Sequence, residues 1–170
     1  MFPYKRVLIV GSGGSGKSTF AKRLHKLTGL PLIHLDKEFW QPNWTSPAKE
    51  IWEIKLNGLL QQDEWIMDGN FRTTLDQRMQ AADLVIFMDI NRFICTWSVF
   101  SRSIKHRGKT RSDMGAGCKE VTDWKFIKWV WDFPKKYRPQ LLETVHSYPQ
   151  VQLIVFKKRK EAYDYLKKYM

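Results

Sequence analysis

Cysteine is nearly missing from this chain of 170 residues: Cys95 and Cys118 are the only two, in no C-x-x-C arrangement and with no histidine cluster beside them. That scarcity argues against a disulfide framework and against a cysteine-bound zinc site. Long hydrophobic runs are missing too. No apolar stretch approaches the ~20 residues that a membrane helix needs, and the short apolar run near the start is taken up by a strand, so no membrane span or signal peptide is expected. A soluble, cytosolic protein fits best. Acids are scarce as well: 17 Asp and Glu face 29 Lys and Arg, a formal net charge of +12. Such an excess favours polyanionic partners, whether nucleotide, nucleic acid or acidic lipid, without choosing among them. At this length one domain is the simplest reading, and it can bury roughly two-thirds of its unfolded surface.

Four of the ten glycines fall in one place. Gly11-Ser12-Gly13-Gly14-Ser15-Gly16-Lys17-Ser18-Thr19 is a complete G-x-x-x-x-G-K-[ST] loop, and it follows directly on the apolar run Val7 to Val10. A strand ends, small residues let successive backbone N–H groups curl around an anion, and a helix begins whose N-terminal dipole points at the same spot. In that arrangement Lys17 reaches the β and γ phosphates of a nucleoside triphosphate, the Ser18 hydroxyl ligates Mg²⁺, and Thr19 lies near the α phosphate. ATP and Mg²⁺ are therefore the expected ligands.

Four further short apolar runs read as strands: Leu32 to Leu35, Trp65 to Met67, Leu84 to Met88 and Val151 to Phe156. Helical stretches separate them, which predicts an α/β protein of three layers, a five-stranded parallel sheet with helices on both faces and ligands at the carboxyl ends of the strands. The first helix should open at Gly16 or Lys17 and stop near Gly29. Ser46-Pro47 reads as an N-cap and first-turn proline for a helix carrying Trp52, Leu56, Leu59 and Leu60. Another helix should span about Asn91 to His106. After it come a loop from Gly108 to Cys118 and a helix in which Phe126, Trp129, Val130 and Phe133 share a face.

Three of the five strands end on an acid: Asp36, Asp68 and Asp89. Asp68, after an apolar lead-in, has the form that holds Mg²⁺ through water. Asp36 is positioned to orient or deprotonate an acceptor hydroxyl. Asp89 reads as structural, and His34 as a packed residue facing away from Asp36. About sixty residues separate the fourth and fifth strands, more than a crossover requires. The stretch 102–138 is accordingly read as a lid-like insert in a single P-loop kinase-like domain, with Arg107 and Arg111, joined by Arg102 and Arg138, closing over the γ phosphate. Its tryptophans read as core.

Beyond the loop, Pro31-Leu-Ile-His-Leu-Asp36, Trp40-Gln-Pro-Asn-Trp44, Trp65-Ile-Met-Asp-Gly-Asn-Phe71, Arg107-Gly-Lys-Thr-Arg111 and the segment from Asp123-Trp124 to Trp131 resemble the DNA topology modulation protein (FlaR-related) family. That family is in turn similar to adenylate kinases and shikimate kinases. The resemblance implies an adenylate kinase-like P-loop fold. It also aligns Asp68 to Thr73 with the D-G-F-P-R-T of adenylate kinases, where the Asp serves Mg²⁺ and the Arg, here Arg72, binds the acceptor. Asn70-Phe71 replaces Phe-Pro in that match. Asp36 falls where shikimate and deoxynucleoside kinases carry a carboxylate at the acceptor hydroxyl. The expected activity is thus ATP- and Mg²⁺-dependent phosphorylation of a small molecule held between Asp36, Arg72 and the loop bearing Trp40 and Trp44. The alternative, direct action on DNA, draws on the charge and the family name, but no standard DNA-reading module is apparent.

Overall fold

The computed structural model describes residues 2–170. Five strands, β1 (Arg6–Gly11), β2 (Leu32–His34), β3 (Trp65–Asp68), β4 (Leu84–Met88) and β5 (Gln152–Phe156), pair in the order β2-β3-β1-β4-β5. Every pairing is parallel. The sequence dictates this arrangement, because β1, β3 and β4 are almost wholly apolar and can be satisfied only with both faces covered. Alternation divides their side chains between the layers. Val7 and Ile9 join one core with Phe20, Leu24, Ile86 and Phe156, while Leu8 and Val10 join another with Leu56, Trp65, Met67 and Phe87.

Eight helices complete the chain among the described residues: α1 (Lys17–Thr28), α2 (Leu35–Phe39), α3 (Lys49–Leu60), α4 (Leu75–Ala81), α5 (Arg92–Lys105), α6 (Trp124–Lys136), α7 (Arg138–His146) and α8 (Arg159–Lys167). Their ends follow local chemistry. Gly29 closes α1 at φ 76°, returning its N–H to His25. The Asn91 side chain accepts from the Phe93 N–H to start α5, and the Asp123 carboxylate accepts from Lys125 and Phe126 to start α6. None of these helices is long and apolar enough to cross a membrane.

Two boundaries differ from the sequence reading. The second strand stops at His34, so Leu35 and Asp36 open a short helix instead of ending a strand. Ser46 does not cap α3; Ala48 is the capping residue, and Ser46 and Pro47 lie in the irregular stretch before it. Pro47 also stays outside the helix, which starts two residues later at Lys49.

Helix α6 ties the layers together, since Val130 belongs to one core, Phe133 to the other, and Trp129 packs on both. The chain order turns around at β1, with β2 and β3 on one side and β4 and β5 on the other. The crevice outside the carboxyl end of β1 is where sheets of this kind take ligands. That end is tightly packed. Gly11 sits at φ 140°, and a Cβ there would lie 2.5 Å from the Met88 carbonyl oxygen. Gly11→Ala is therefore expected to cost about 3 kcal/mol of stability through overpacking and strain, read as a lowered midpoint in urea unfolding. A midpoint equal to that of the parent would refute this account.

Candidate functional site

The loop after β1 is shaped by glycines with no room for anything larger. Gly14 (φ 71°) lies against the Cys95 carbonyl, where a Cβ would come within 2.4 Å, and Gly16 (φ 103°) leads into α1. A Cβ on Gly13 would meet Phe126 at 2.7 Å and Val130 at 2.8 Å, so α6 rests directly on the loop. The Asn70 side chain pins the loop's first residue, accepting from the Gly11 N–H at 3.0 Å and donating to its carbonyl. From the far end of the chain, Arg159 donates to Gly14 O at 2.5 Å, Ser15 O at 3.2 Å and Ser98 Oγ at 2.8 Å.

Lys17 turns its ammonium into this cradle, 2.8 Å from both Gly11 O and Ser12 O. Burial pulls its pKa down, while the fields of Asp68 and Asp36 oppose that shift. Asp68 ends β3, is buried, and its Oδ1 meets His34 Nδ1 at 2.5 Å. His34 is thus more than packing, because it holds one carboxylate oxygen of Asp68. Asp36, on the first turn of α2, lines the same cavity as Lys17. Desolvation pushes its carboxyl above the ordinary range and Asp68 adds to the effect, outweighing Lys17 and Arg111.

The cavity has a volume of about 910 Å³. Opposite the loop its wall comes from the segment between α5 and α6. Glu120, only 6% exposed, holds Arg102 at 3.4 Å and Arg111 at 3.2 Å. Arg111 also pairs with Asp113 at 3.5 Å. Burial raises the Asp113 carboxyl, but Arg111 and a hydrogen bond with Ser18 outweigh it and hold the group below its ordinary range. This segment docks on the Trp40 to Trp44 loop. A Cβ on Gly115 would fall 1.9 Å from the Trp40 carbonyl oxygen, and the Trp44 indole donates to Lys119 O at 2.9 Å.

The structure brings together Lys17, Ser18, Asp36, Asp68, Trp40 and Arg111 around one cavity. It leaves Arg72 and Arg107 outside. Arg72 donates to Gln140 at 2.6 Å on the exposed side of the 69–74 loop, and Arg107 is exposed beyond the end of α5. Arg138 is committed elsewhere, forked onto Asp89 at 2.9 Å with Lys157 beside it at 3.2 Å. Three residues that matter were not singled out from sequence. Arg159 lies inside the basic run 157–160, in which no residue is marked out by its pattern. Glu120 had no motif. Arg78, fully buried, donates to Gly69 O at 3.0 Å and Phe71 O at 2.5 Å and thereby sets the loop after Asp68.

The donor set fits a magnesium nucleotide. The Ser18 hydroxyl and the carboxylates of Asp68 and Asp113 are hard oxygen donors lining one cavity, and the Ser12 and Ser15 hydroxyls are buried without a partner among the described residues. No group of three or more His, Cys, Asp or Glu ligands stands together among the described residues. A Mg²⁺ ion here would share its shell with phosphate oxygens and water.

No family model and no curated protein matches the sequence. Solved structures do match the fold. A shikimate kinase from Acinetobacter baumannii in complex with shikimate is 15% identical with a TM-score of 0.64, covering 96% of this chain and 89% of its own. A shikimate kinase from Bacteroides thetaiotaomicron is 14% identical with a TM-score of 0.56, covering 98% and 96%. A deoxyadenosine kinase from M. mycoides with bound dATP is 16% identical with a TM-score of 0.54, covering 95% and 97%. The chain has the P-loop kinase fold: five parallel strands with helices around them.

Arg159→Ala removes the only side chain among the described residues that donates to the carbonyls of Gly14 and Ser15. The expected outcome is a roughly tenfold loss of MgATP affinity, about 1.4 kcal/mol, measured by calorimetry. Arg72→Ala and Arg107→Ala, which lie outside the cavity, should stay within about twofold of the parent on the same scale.

Proposed function

We propose that this protein is a kinase that transfers the γ-phosphoryl group of ATP to a hydroxyl of a small acceptor. The observation that carries this reading is the placing of Asp36 on one cavity wall with Lys17, Ser18 and Asp68. A phosphoryl-transfer site needs a phosphate cradle, hard oxygen donors for the metal and a base for the incoming hydroxyl, all within one desolvated space. The P-loop kinase fold of the shikimate and deoxyadenosine kinases supports the same reading. So does the resemblance to the FlaR-related family, whose members we take as this chain's relatives.

Mg²⁺, when bound, would neutralise the phosphate oxygens, and Ser18 and Asp68 would hold it. The rest falls to the chain. The loop amides of residues 11–19 hold the phosphates, and Lys17 exchanges the carbonyls of Gly11 and Ser12 for phosphate oxygens. His34 fixes the Asp68 carboxylate. Asp36 accepts the proton of the acceptor hydroxyl as that oxygen bonds to the γ phosphorus and the bond to the β–γ bridging oxygen breaks, releasing ADP. Arg111 and Arg102, carried on the 102–138 segment acting as a lid, face the charge that develops on the transferred group. Positioning and charge stabilisation supply most of the rate.

The test is acceptor-dependent ADP release by the parent, Lys17→Ala and Asp36→Asn proteins. Asp36→Asn should lose about 100-fold or more in kcat while keeping MgATP affinity, and Lys17→Ala should lose both. The sign of the pH effect follows from the raised carboxyl of Asp36. Its active form is the carboxylate, so activity falls as pH drops through a value above the ordinary ~3.9 of an aspartate. Undiminished turnover in Asp36→Asn would end the assignment of the base.

A further inference from the structure

The cavity contains more than a phosphate cradle, and its charges balance. Five cations line it: Lys17, Lys22, Arg102, Arg111 and Arg159. Five acids line it as well: Asp36, Asp68, Asp113, Glu120 and Asp123. In a protein of net charge +12 this is a neutral enclosure. Magnesium-bound ATP brings about two negative charges of its own, and Lys17, Arg102 and Arg111 are the groups placed to meet them. The other two are already engaged, Lys22 on Ser112 Oγ at 2.8 Å and Arg159 on the loop carbonyls of Gly14 and Ser15. The arginines that could have clamped an acceptor phosphate or carboxylate are elsewhere: Arg72 on Gln140, Arg107 in solvent, Arg138 on Asp89. A charged acceptor would enter beside Asp36 and Asp68 with nothing to compensate it, an arrangement that disfavours anions strongly in a desolvated site.

Aromatic surface takes the place of charge. Trp40, Phe71, Phe126 and Trp129 line the same cavity as Asp36. The rings of Phe126 and Trp129 lie nearly parallel, 11° apart with centroids 5.6 Å apart, and Phe126 keeps 36% of its surface uncovered beside Gly13 of the loop. Phe71 is fixed from behind by Phe39 and Trp52, with ring centroids 4.7 and 5.6 Å away. Rigid ring faces supply binding area at low entropic cost and orient a flat partner by stacking. A volume of about 910 Å³ lies at the upper end of pockets that take one drug-sized ligand. It leaves room for a nucleotide and a second flat compound.

Resting on the kinase reading above, we propose that the acceptor is an uncharged molecule carrying a flat ring and a free hydroxyl, of the nucleoside class, its ring laid against the uncovered face of Phe126 and its hydroxyl at Asp36. Phosphate- or carboxylate-bearing acceptors find no uncommitted cation. Acceptors without a flat ring leave the aromatic faces unused.

The probes are adenosine, cytidine, uridine and thymidine, with adenosine 5′-monophosphate as the anionic arm and ribose as the ringless-base arm. ADP release and calorimetric binding are both read, with MgATP or a non-hydrolysable analogue present. At least one nucleoside should bind ten times more tightly than adenosine 5′-monophosphate and ribose, and should be turned over. Phe126→Leu, which keeps an apolar side chain but removes the ring, should raise KM for that nucleoside about tenfold with kcat and MgATP affinity little changed, and Phe126→Tyr should restore it. Preference for the monophosphate, equal use of ribose, unchanged KM in Phe126→Leu, or no binding of any nucleoside overturns the proposal. Nucleoside binding without ADP release upholds the ring site and refutes the kinase reading. ADP release confined to anionic or ringless acceptors does the reverse.

Discussion

A buried ammonium is the constraint on which the rest of this structure depends. Lys17 carries its ammonium to the floor of a cavity, and burial pulls its pKa down. Two carbonyls accept from it, and the fields of Asp68 and Asp36 oppose the shift. Those carbonyls belong to Gly11 and Ser12, so the loop must fold back over its own lysine, which only glycine at positions 11, 14 and 16 permits. The neighbours then follow. Phe126 and Val130 can press on the loop because Gly13 has no side chain, and Arg159 can reach across 145 residues to Gly14 because the loop carbonyls turn outward there. One charge thus fixes the conformation of a loop, the approach of a helix and the role of an arginine near the other end of the chain.

The opposing wall is built on the same balance with the signs exchanged. Glu120 sits between Arg102 and Arg111, and Asp113 sits between Arg111 and Ser18. Removing one partner from such a buried set leaves an uncompensated charge, whereas substituting one anion for another leaves the total unchanged. In the kinase reading, phosphate oxygens compete with Glu120 and Asp113 for the arginines, and each carboxylate that loses its arginine needs a new partner. The wall is therefore suited to hold one arrangement before nucleotide enters and another afterwards.

Much of this was legible in the sequence, and the boundary is physical. The loop, its strand and its helix could be read because their chemistry is carried by residues adjacent in the chain. All five strands fell close to their predicted places because each is a short apolar run bounded by polar residues. Asp36 reads from sequence as an acid at a strand end, yet the chain turns helical at Leu35, a tertiary choice that a three-residue strand does not announce. The arginines show the limit most clearly. Within the run from Arg102 to Arg111 the pattern says that cations are concentrated, but not which of them face inward. Arg111 lines the cavity while Arg107, four residues earlier, stays in solvent. The partner that decides this is Glu120, and no local spacing links the three. Arg159 was hidden for the same reason, its contacts lying 144 and 145 residues away.

Net charge and site charge separate in this protein, with a consequence for how ligands arrive. The surplus of 29 cations over 17 acids is +12, and the cavity lining contributes nothing to it. All of the surplus lies outside. A field of that sign draws polyanions such as nucleotides toward the molecule at distances up to about a Debye length, near 8 Å in physiological salt. Inside the cavity the field is balanced, and selection passes to short-range features: the loop amides, the metal donors and the aromatic faces. Basicity then governs how fast an anion is captured, and the neutral lining governs which compound is held once it is there. In the kinase reading, the high net charge serves the capture of a small anion at a site that is itself uncharged.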